Sequence, residues 1–600
     1  MVTSSLRIGI VGCGPRGLSI FERILSIAEL RRNQPIIIDI FDPRLPGTGV
    51  HAPDQPDYLL LNTVAGQLGV FPDKAALGDL PDACERTGPS FLAWCQAKNL
   101  SVSTETSQPT TGDRSVAAED FLPRRLLGSY LAEAFQEIAS AAPPHVAVNV
   151  HREEVTELET EGSNLFVLKT GAGTCVAVER LVLTVGHTGR LAAEKSGRVE
   201  KIYPLPNSLD VVGAGDAVLI DALGLGAMDV LAAMTVGRGG SFEQHVEGAR
   251  YRPSGHEPAI YLQSRNGLPF RARPDGLMRF RRHQAVVLTR SRLADLRCRV
   301  NGGRLDFDLD ILPLMKLEMR AAAVSVLYGD SDGTKRLDLL HQLRAAGSNL
   351  KTGVEDFESL LRVFEERCGF IELRTLLRKV LPDQVTEQNY HGWICHEIRT
   401  DLCEAALGLE SPVKAAAEVW RDLRDELRDA VDFEGLNEVS HRQFYSEWHN
   451  IINRLVAGPQ KERHEELLAL CEAGVLTFVH PADKPSAAAK CWRVSGYVQS
   501  AGLIDTDSKL LQKLKDLGLI RPKTNLRGAD GVDLDPSFRP LSRAGLRTEG
   551  IWVLGPLAEG SCYYNHYVSS AGAPSRLFMD AHKVAHSILE IPQETTGPQA

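Results

Sequence analysis

An α/β fold is predicted by three features of the chain. The first is an apolar run, Ile8 to Val11, that leads into Gly12-Cys13-Gly14-Pro15-Arg16-Gly17 and then into apolar residues at helical spacing, Leu18, Phe21, Ile24 and Leu25. The second is a similar glycine pattern further along, Gly213-Ala214-Gly215-Asp216-Ala217-Val218, behind the apolar Leu209 to Val212. The third is a long stretch, 301–488, with helical periodicity and no glycine motif. Together they predict two Rossmann-like dinucleotide-binding domains with a large helical insertion. The expected boundaries are 1–200 for the first domain, 201–300 for the second, 301–488 for the insertion, and 489–600 for a return to the nucleotide domains.

The first unit reads as strand, glycine turn, helix, strand, acid, because Ile36 to Phe41 is a second apolar run and Asp42 closes it. Gly12 lets the chain turn tightly, Gly14 lets the backbone approach a pyrophosphate, and Gly17 lets helix and strand pack closely. Phosphates belong at the helix N-terminus, where free N–H groups and the helix dipole favour negative charge. Asp42 is placed to accept from ribose hydroxyls. Gly12, Gly14, Pro15, Gly17 and Asp42 are the expected cofactor-binding residues here.

Residues 43–73 are rich in Gly and Pro but carry Leu59, Leu60, Leu61, Val64 and Leu68, too apolar for a solvated loop. A partly buried loop after a nucleotide-binding strand often lines the site. Asn62 and Gln67 either hydrogen-bond a flat heterocycle there or satisfy loop backbone. His51 reads as a plain loop histidine. Residues 77–118 are polar in their second half and are expected to form an exposed excursion. Pro123 and the spacing Leu126, Leu127, Tyr130, Leu131, Phe135 predict a helix. Arg124 and Arg125 fall in its first turn, an unfavourable place for cations without an anion nearby. A cofactor phosphate or a carboxylate is the expected partner, the alternative being a surface pair.

Strand-like alternation fills residues 146–183, and the last run ends in Thr184-Val185-Gly186-His187. In the second glycine pattern, Asp216 is the odd residue: a carboxylate beside a pyrophosphate costs Coulomb energy unless it points away. A strand-like run, Ile260 to Gln263, ends in Ser264-Arg265, and an arginine there suits the 2′-phosphate of NADPH. Arg271, Arg273, Arg279, Arg281 and Arg282 form either a solvated face or an anion funnel.

In the helical region, Ser411-Pro412 opens a helix with Val413, Ala416, Trp420, Leu423, Leu427 and Val431 on one face, and Ser440 to Gln443 resembles a capping box. Its histidines, His391, His396, His441, His449 and His464, show no ligand spacing, so no metal is expected. Trp492 to Ser500 reads as a strand, Gly550 to Leu554 as another running into Gly555-Pro556, and Arg576 to Leu589 as a final helix. Composition is that of a soluble globular protein, 43% hydrophobic and 24% charged. A net charge of −10 argues against a dedicated nucleic-acid binder. Eleven cysteines without a CxxC pair suggest reduced thiols in a cytoplasm. The N-terminal apolar run is the first strand and no signal peptide, and Val211 to Val236 is too interrupted by acids to cross a membrane.

GCGPRG at 12–17, FDP at 41–43, LLNT at 60–63, PRRLLGSYL at 123–131, LVLTVGHTG at 181–189, VVGAGDAVLIDAL at 211–223, VGRGGSF at 236–242 and LQSRNGLP at 262–269 occur in an order that resembles the two-dinucleotide-domain flavoproteins. Within them the chain resembles the large bacterial FAD/NAD(P)-binding proteins related to N-hydroxylating amino-acid monooxygenases. The resemblance implies FAD in the first domain and NADPH, with NADH the alternative, in the second. It places Asn62, Gln67, Arg124, Thr184, Gly186 and Gly555 around FAD, and Gly213, Gly215, Ser264 and Arg265 around NADPH. The returning strand and glycine turn at 550–556 would complete the FAD domain from the far end of the chain. The implied chemistry is a C4a-hydroperoxyflavin that hydroxylates the primary amine of an amino acid, aspartate among the substrates of relatives, in bacterial secondary metabolism. Asn62 and Gln67 are the expected flavin-facing catalytic pair, the partners are a small amine and O2, and no nucleic acid or membrane is expected. The other readings are a flavin-dependent oxidoreductase without oxygenation and a non-catalytic nucleotide-binding protein of a pathway.

Overall fold

Strands β1 (Leu6–Val11), β2 (Ile36–Phe41), β3 (Val146–His151) and β4 (Arg180–Leu183) run parallel in the order β3-β2-β1-β4. The structure is a computed structural model and describes residues 5–31, 34–103, 114–162, 165–189, 197–245, 248–276, 282–329, 333–483, 491–497, 502–523, 530–565, 567–570 and 574–590. Ile8, Ile10, Ile38 and Ile40 are fully buried, as a parallel sheet covered on both faces requires. Helix α1 (Pro15–Leu30) buries Leu18, Phe21, Ile24 and Leu25 completely, each worth about 1.5–3 kcal/mol relative to exposure. Helix α2 (Arg124–Ser140) sets Phe135 against Phe21, ring centroids 5.4 Å apart. Part of the expected excursion, 77–118, is instead core: the helix Phe91–Ala97 buries Phe91 and Trp94 against Tyr130.

A second parallel sheet holds β5 (Arg198–Val199), β6 (Ala217–Ile220), β7 (Ala259–Leu262), β8 (Leu476–Phe478) and β9 (Cys491–Val494), in the order β5-β9-β6-β7-β8. Helix α3 (Leu225–Met234) follows β6. From the first strand of each glycine unit outward, β3-β2-β1-β4 and β8-β7-β6-β9 are the same order, third-second-first-fourth, of a dinucleotide-binding half. The stretch 301–488 is therefore not wholly insertion. It supplies β8, and the helical region sits in the crossover between β7 and β8. A crossover leaves the sheet and must return to it, so its length does not disturb the strand order. The strand expected at Trp492 to Ser500 is shorter, ending at Val494, and residues 498–500 lie outside the described residues.

Among the insertion's helices are α4 (Leu312–Tyr328), α5 (Tyr390–Ala406), α6 (Pro412–Asp422), α7 (Arg424–Val431) and α8 (Lys461–Glu472). Ser411 caps α6 as its position predicts, its Oγ accepting from the Lys414 N–H at 3.0 Å. The expected capping box at Ser440 is not one. Asn437 caps that helix, and Ser440 lies within it, accepting the Phe307 N–H at 2.6 Å. α4 packs on α6, and Trp420 stacks with Trp448. The chain then returns to the first sheet, where β10 (Ile551–Val553) pairs with β4 and α9 (Arg576–Leu589) lies along α1. Among the described residues no helix is long and apolar enough to cross a membrane.

Candidate active site

A cavity of about 760 Å³ opens at the C-terminal ends of β1, β2 and β4, where open α/β sheets bind their ligands. Its size falls within the range of cofactor pockets, about 300–1,000 Å³. Gly12, Gly14, Pro15, Asp42, Asn62, Gln67, Thr184 and Gly186 all line it. Gly12 has φ +87°, and a Cβ there would meet the Thr184 carbonyl oxygen at 2.6 Å. A Cβ on Gly17 would lie 2.4 Å from the Gly12 oxygen, so Gly17 is a packing residue behind the cavity. Gly14 caps α1 without a side chain, and no acid stands in the first turn, which leaves the helix N–H groups and dipole to an anion. Thr184 Oγ1 donates to the Gly12 carbonyl and pins the turn. Asp42 is buried and accepts the Cys13 N–H at 2.7 Å and the Arg44 N–H at 2.8 Å. A carboxylate has about four acceptor positions, so it keeps capacity for a ribose hydroxyl. Three positions without Cβ, an uncapped helix N-terminus and an acid after β2 fit FAD.

Two expected FAD residues stand elsewhere. Gly555 does not line the cavity; its neighbour Pro556 does, and a Cβ on Gly555 would face Arg16 Cγ at 3.1 Å. Arg124 is not at a phosphate either. Its guanidinium donates to Asp229 on α3 (Nη2–Oδ1 3.0 Å), to the Leu60 carbonyl at 3.0 Å and to the Tyr203 hydroxyl at 3.4 Å. Arg125 pairs with Asp57. The anion that makes cations tolerable at the start of α2 is the protein's own, and Arg124 to Asp229 ties the first sheet's helix to the second's.

The second glycine motif is also misplaced in the sequence reading. Leu209 ends a short 3₁₀ turn, Asn207–Leu209, and Gly213 and Gly215 precede a strand, not a helix. They meet no helix N-terminus. Asp216 is explained by this: its Oδ2 accepts the Gly213 N–H and the Trp492 indole N–H, each at 2.9 Å. Where β6 leads into α3, Gly224 is an N-cap without a side chain and Gly226 lies in the first turn of the helix. A Cβ on Gly226 would come within 2.7 Å of the Gly496 carbonyl oxygen. Ser264 and Arg265 follow β7, adjacent to β6, with Arg265 exposed and Ser264 Oγ accepting the Gly267 N–H at 3.1 Å.

Of the arginine run, Arg271 pairs with Asp401 (2.7 Å) and Arg273 is buried, donating to the Val456 carbonyl at 3.2 Å; neither lines the cavity. Arg279 and Arg281 lie outside the described residues. Arg282 does reach the cavity. The other arginines there were missed: Arg16, Arg44, Arg421, Arg424, Arg428 and Arg576. Arg428 donates to the Tyr563 and Tyr564 carbonyls and Asp425, and Arg576 is held by Asp432 and Asp580. Arg421 Nε pairs with Glu418 Oε2 at 3.0 Å, but Arg421 Nη2 and Arg424 Nη2 are buried without a hydrogen-bond partner, and the Arg424 guanidinium lies 3.9 Å over the Tyr564 ring. The signal in the sequence was the spacing Arg421, Arg424, Arg428, which is helical in period, although in the structure Leu423 separates Arg421 on α6 from the other two on α7. His51 also lines the cavity with Nδ1 unpartnered, and burial together with Arg124 pushes its pKa down to about 3. Nothing in the sequence marked it.

The fold and site define a flavoprotein with two dinucleotide sites, and residues 9–188 match a family described as FAD-NAD(P)-binding. The L-aspartate N-monooxygenase (nitrosuccinate-forming) of Streptomyces davaonensis is 32% identical over 518 residues, 80% of this chain and 78% of that protein. The nitrosuccinic acid synthase of Aspergillus oryzae is 29% identical, covering 95% of this chain and 90% of its own. Among solved structures, the ornithine hydroxylase of Pseudomonas aeruginosa aligns over 97% of this chain and 98% of its own, at 10% identity and a TM-score of 0.43. The chain belongs to the family of the L-aspartate N-monooxygenases: it is an N-hydroxylating flavin monooxygenase that uses FAD and NAD(P)H.

Proposed function

We propose that the enzyme oxidises the amine of L-aspartate toward nitrosuccinate, with NADPH as reductant and O2 as oxygen donor. The observation that carries this reading is the pair of buried, unpartnered guanidinium nitrogens, Arg421 Nη2 and Arg424 Nη2, in the wall of the cavity. A buried donor without a partner costs about 1–3 kcal/mol, and a dicarboxylate satisfies it. A guanidinium fork matches a carboxylate bidentately. Two carboxylates need more than one cation, and Arg282 adds a third donor group at the same wall. Cations beside the substrate also favour its amine in the neutral, nucleophilic form. The relatives' names point to the same acidic amino acid.

FAD, once reduced by NADPH, supplies the activated oxygen. On this reading Gly12, Gly14, Pro15 and Asp42 hold its dinucleotide half, with Gly17 shaping the turn, and Thr184 and Gly186 close the far side. Leu61, Leu68 and Leu127 exclude water from the reacting end. Asn62 and Gln67 face the flavin, since both line the cavity and neither side chain hydrogen-bonds another described residue. On the second sheet, Gly224 and Gly226 would hold the pyrophosphate of NADPH, and Arg265 with Ser264 would hold its 2′-phosphate. Arg424→Ala is expected to raise KM for L-aspartate about ten- to a hundred-fold, the worth of one charge-assisted contact. KM for NADPH should hold. Steady-state oxygen uptake measures both, and equal changes in the two would refute the carboxylate role.

A further inference from the structure

Outside the cleft, three reactive side chains meet at one point. His391 and Cys395, one turn apart on α5, and Cys471, in the last turn of α8, each offer one atom, and these lie within 4.8 Å of one another. Cys395 is buried, and His391 and Cys471 are half-buried. α5 packs on α8, and both support β8 at the edge of the second sheet.

A histidine and two thiols are the donor set of a zinc site. The ring's tautomer argues otherwise. His391 Nδ1 accepts the Phe478 N–H at 3.1 Å, so the proton of the neutral ring is on Nε2. That Nε2 faces Cys395 Sγ at 3.9 Å. A cation needs a lone pair where this ring carries a hydrogen. Burial lowers the pKa of His391, which keeps the ring neutral. What remains is two thiols side by side with an N–H donor beside them. Hydrogen bonding from Cys471 favours the thiolate of Cys395, with Arg399 adding to it, and holds the proton on Cys471.

We propose that Cys395 and Cys471 form a peroxide-sensitive dithiol that closes to a disulfide tying α5 to α8. Hydrogen peroxide, the two-electron reduction product of the enzyme's own oxidant, is the partner. The Cys395 sulfur attacks one peroxide oxygen, the O–O bond breaks, and Cys395 sulfenic acid and water form. The Cys471 sulfur then displaces the second water, so two thiols and one peroxide become one disulfide and two waters. The thiols lose two electrons and the peroxide gains them. With both sulfurs within 4.8 Å, side-chain rotation toward a bond of about 2.05 Å is the movement required.

The test is peptide mapping by mass spectrometry of the FAD-loaded enzyme after graded hydrogen peroxide and thiol alkylation. The expected result is a Cys395–Cys471 cross-linked peptide, two hydrogens lighter than the reduced pair and opened by dithiothreitol. It should form before the exposed Cys175, Cys298 and Cys403 are oxidised. In Cys471→Ser, dimedone should trap a sulfenic acid on Cys395. Oxidation of the exposed thiols with no cross-link would overturn the proposal. So would retention of zinc after dialysis of the purified enzyme against that metal, with both thiols then shielded from alkylation.

Discussion

The two sheets of the molecule share one strand order, yet only the first could be placed correctly from its glycines. At the first, Gly12 and Gly14 stand between β1 and α1, Gly17 lies in the first turn of α1, and the acid after β2 comes on schedule. At the second, the more obvious glycine pattern, Gly213 and Gly215, lies ahead of the strand, while the entry into the helix carries the plainer Gly224-Leu225-Gly226, with Gly224 as N-cap and Gly226 in the first turn. A glycine pair acquires meaning from the element it leads into. Apolar residues on both sides of Gly213 to Asp216 made either side readable as the strand. Asp216 was the warning, since a carboxylate that belongs at no pyrophosphate is here bound to Trp492 and the Gly213 amide.

The sharpest way to break this comparison is to add side chains to both patterns. Gly12→Val forces a branched residue into φ +87° against the Thr184 carbonyl and is expected to abolish FAD retention and lower stability by several kcal/mol. Gly215→Val meets nothing within 4 Å of the new Cβ and should stay within about 0.5 kcal/mol of the parent. Flavin absorbance after gel filtration and thermal melts score both. If the two variants behave alike, the assignment of the turns fails.

Next in size is the link between the sheets. Arg124 and Asp229 are 17% and 5% exposed, so Arg124→Ala leaves a mostly buried carboxylate without its counter-charge, held only by the Tyr203 hydroxyl. Breaking a buried pair costs about 3–5 kcal/mol, measured by denaturant unfolding of the FAD-loaded enzyme. A loss below about 1 kcal/mol, the worth of an exposed pair, would return Arg124 to the surface role that its place in the first turn does not suit.

Smaller effects divide the coenzyme contacts proposed for the second sheet. Gly226→Val should raise KM for NADPH and NADH together, because the Cβ displaces the turn from Gly496. Arg265→Ala should raise KM for NADPH alone, by about ten- to a hundred-fold. Initial rates with each coenzyme separate the two, and an Arg265 variant equally impaired with both would remove that residue from the 2′-phosphate.

What the sequence disclosed obeyed local rules. The βαβ unit, the helix at Pro123, the Ser411 cap and the returning strand at 551 all declare themselves through periodicity or a cap within a few residues. What it hid was long-range. Nothing near Arg124 announces Asp229, and nothing near residue 476 announces that β8 will join β7 across the whole helical crossover. The arginine wall is an intermediate case. Arg421, Arg424 and Arg428 are spaced at helical period, but a charged face reads first as a solvated one; the structure breaks the helix at Leu423, with Arg421 on α6 and the other two on α7, and only the cavity distinguishes them. His51 had no signal at all, because its burial is made by α2 and the loops around it.

The most direct test of the central claim is turnover with L-aspartate, NADPH and isotope-labelled O2, with mass spectrometry of the product and peroxide measured in parallel. Label on the amine-derived nitrogen of the product is predicted, with NADPH oxidation matched by product. Rapid NADPH oxidation with peroxide or a reduced acceptor and no labelled product would contradict it.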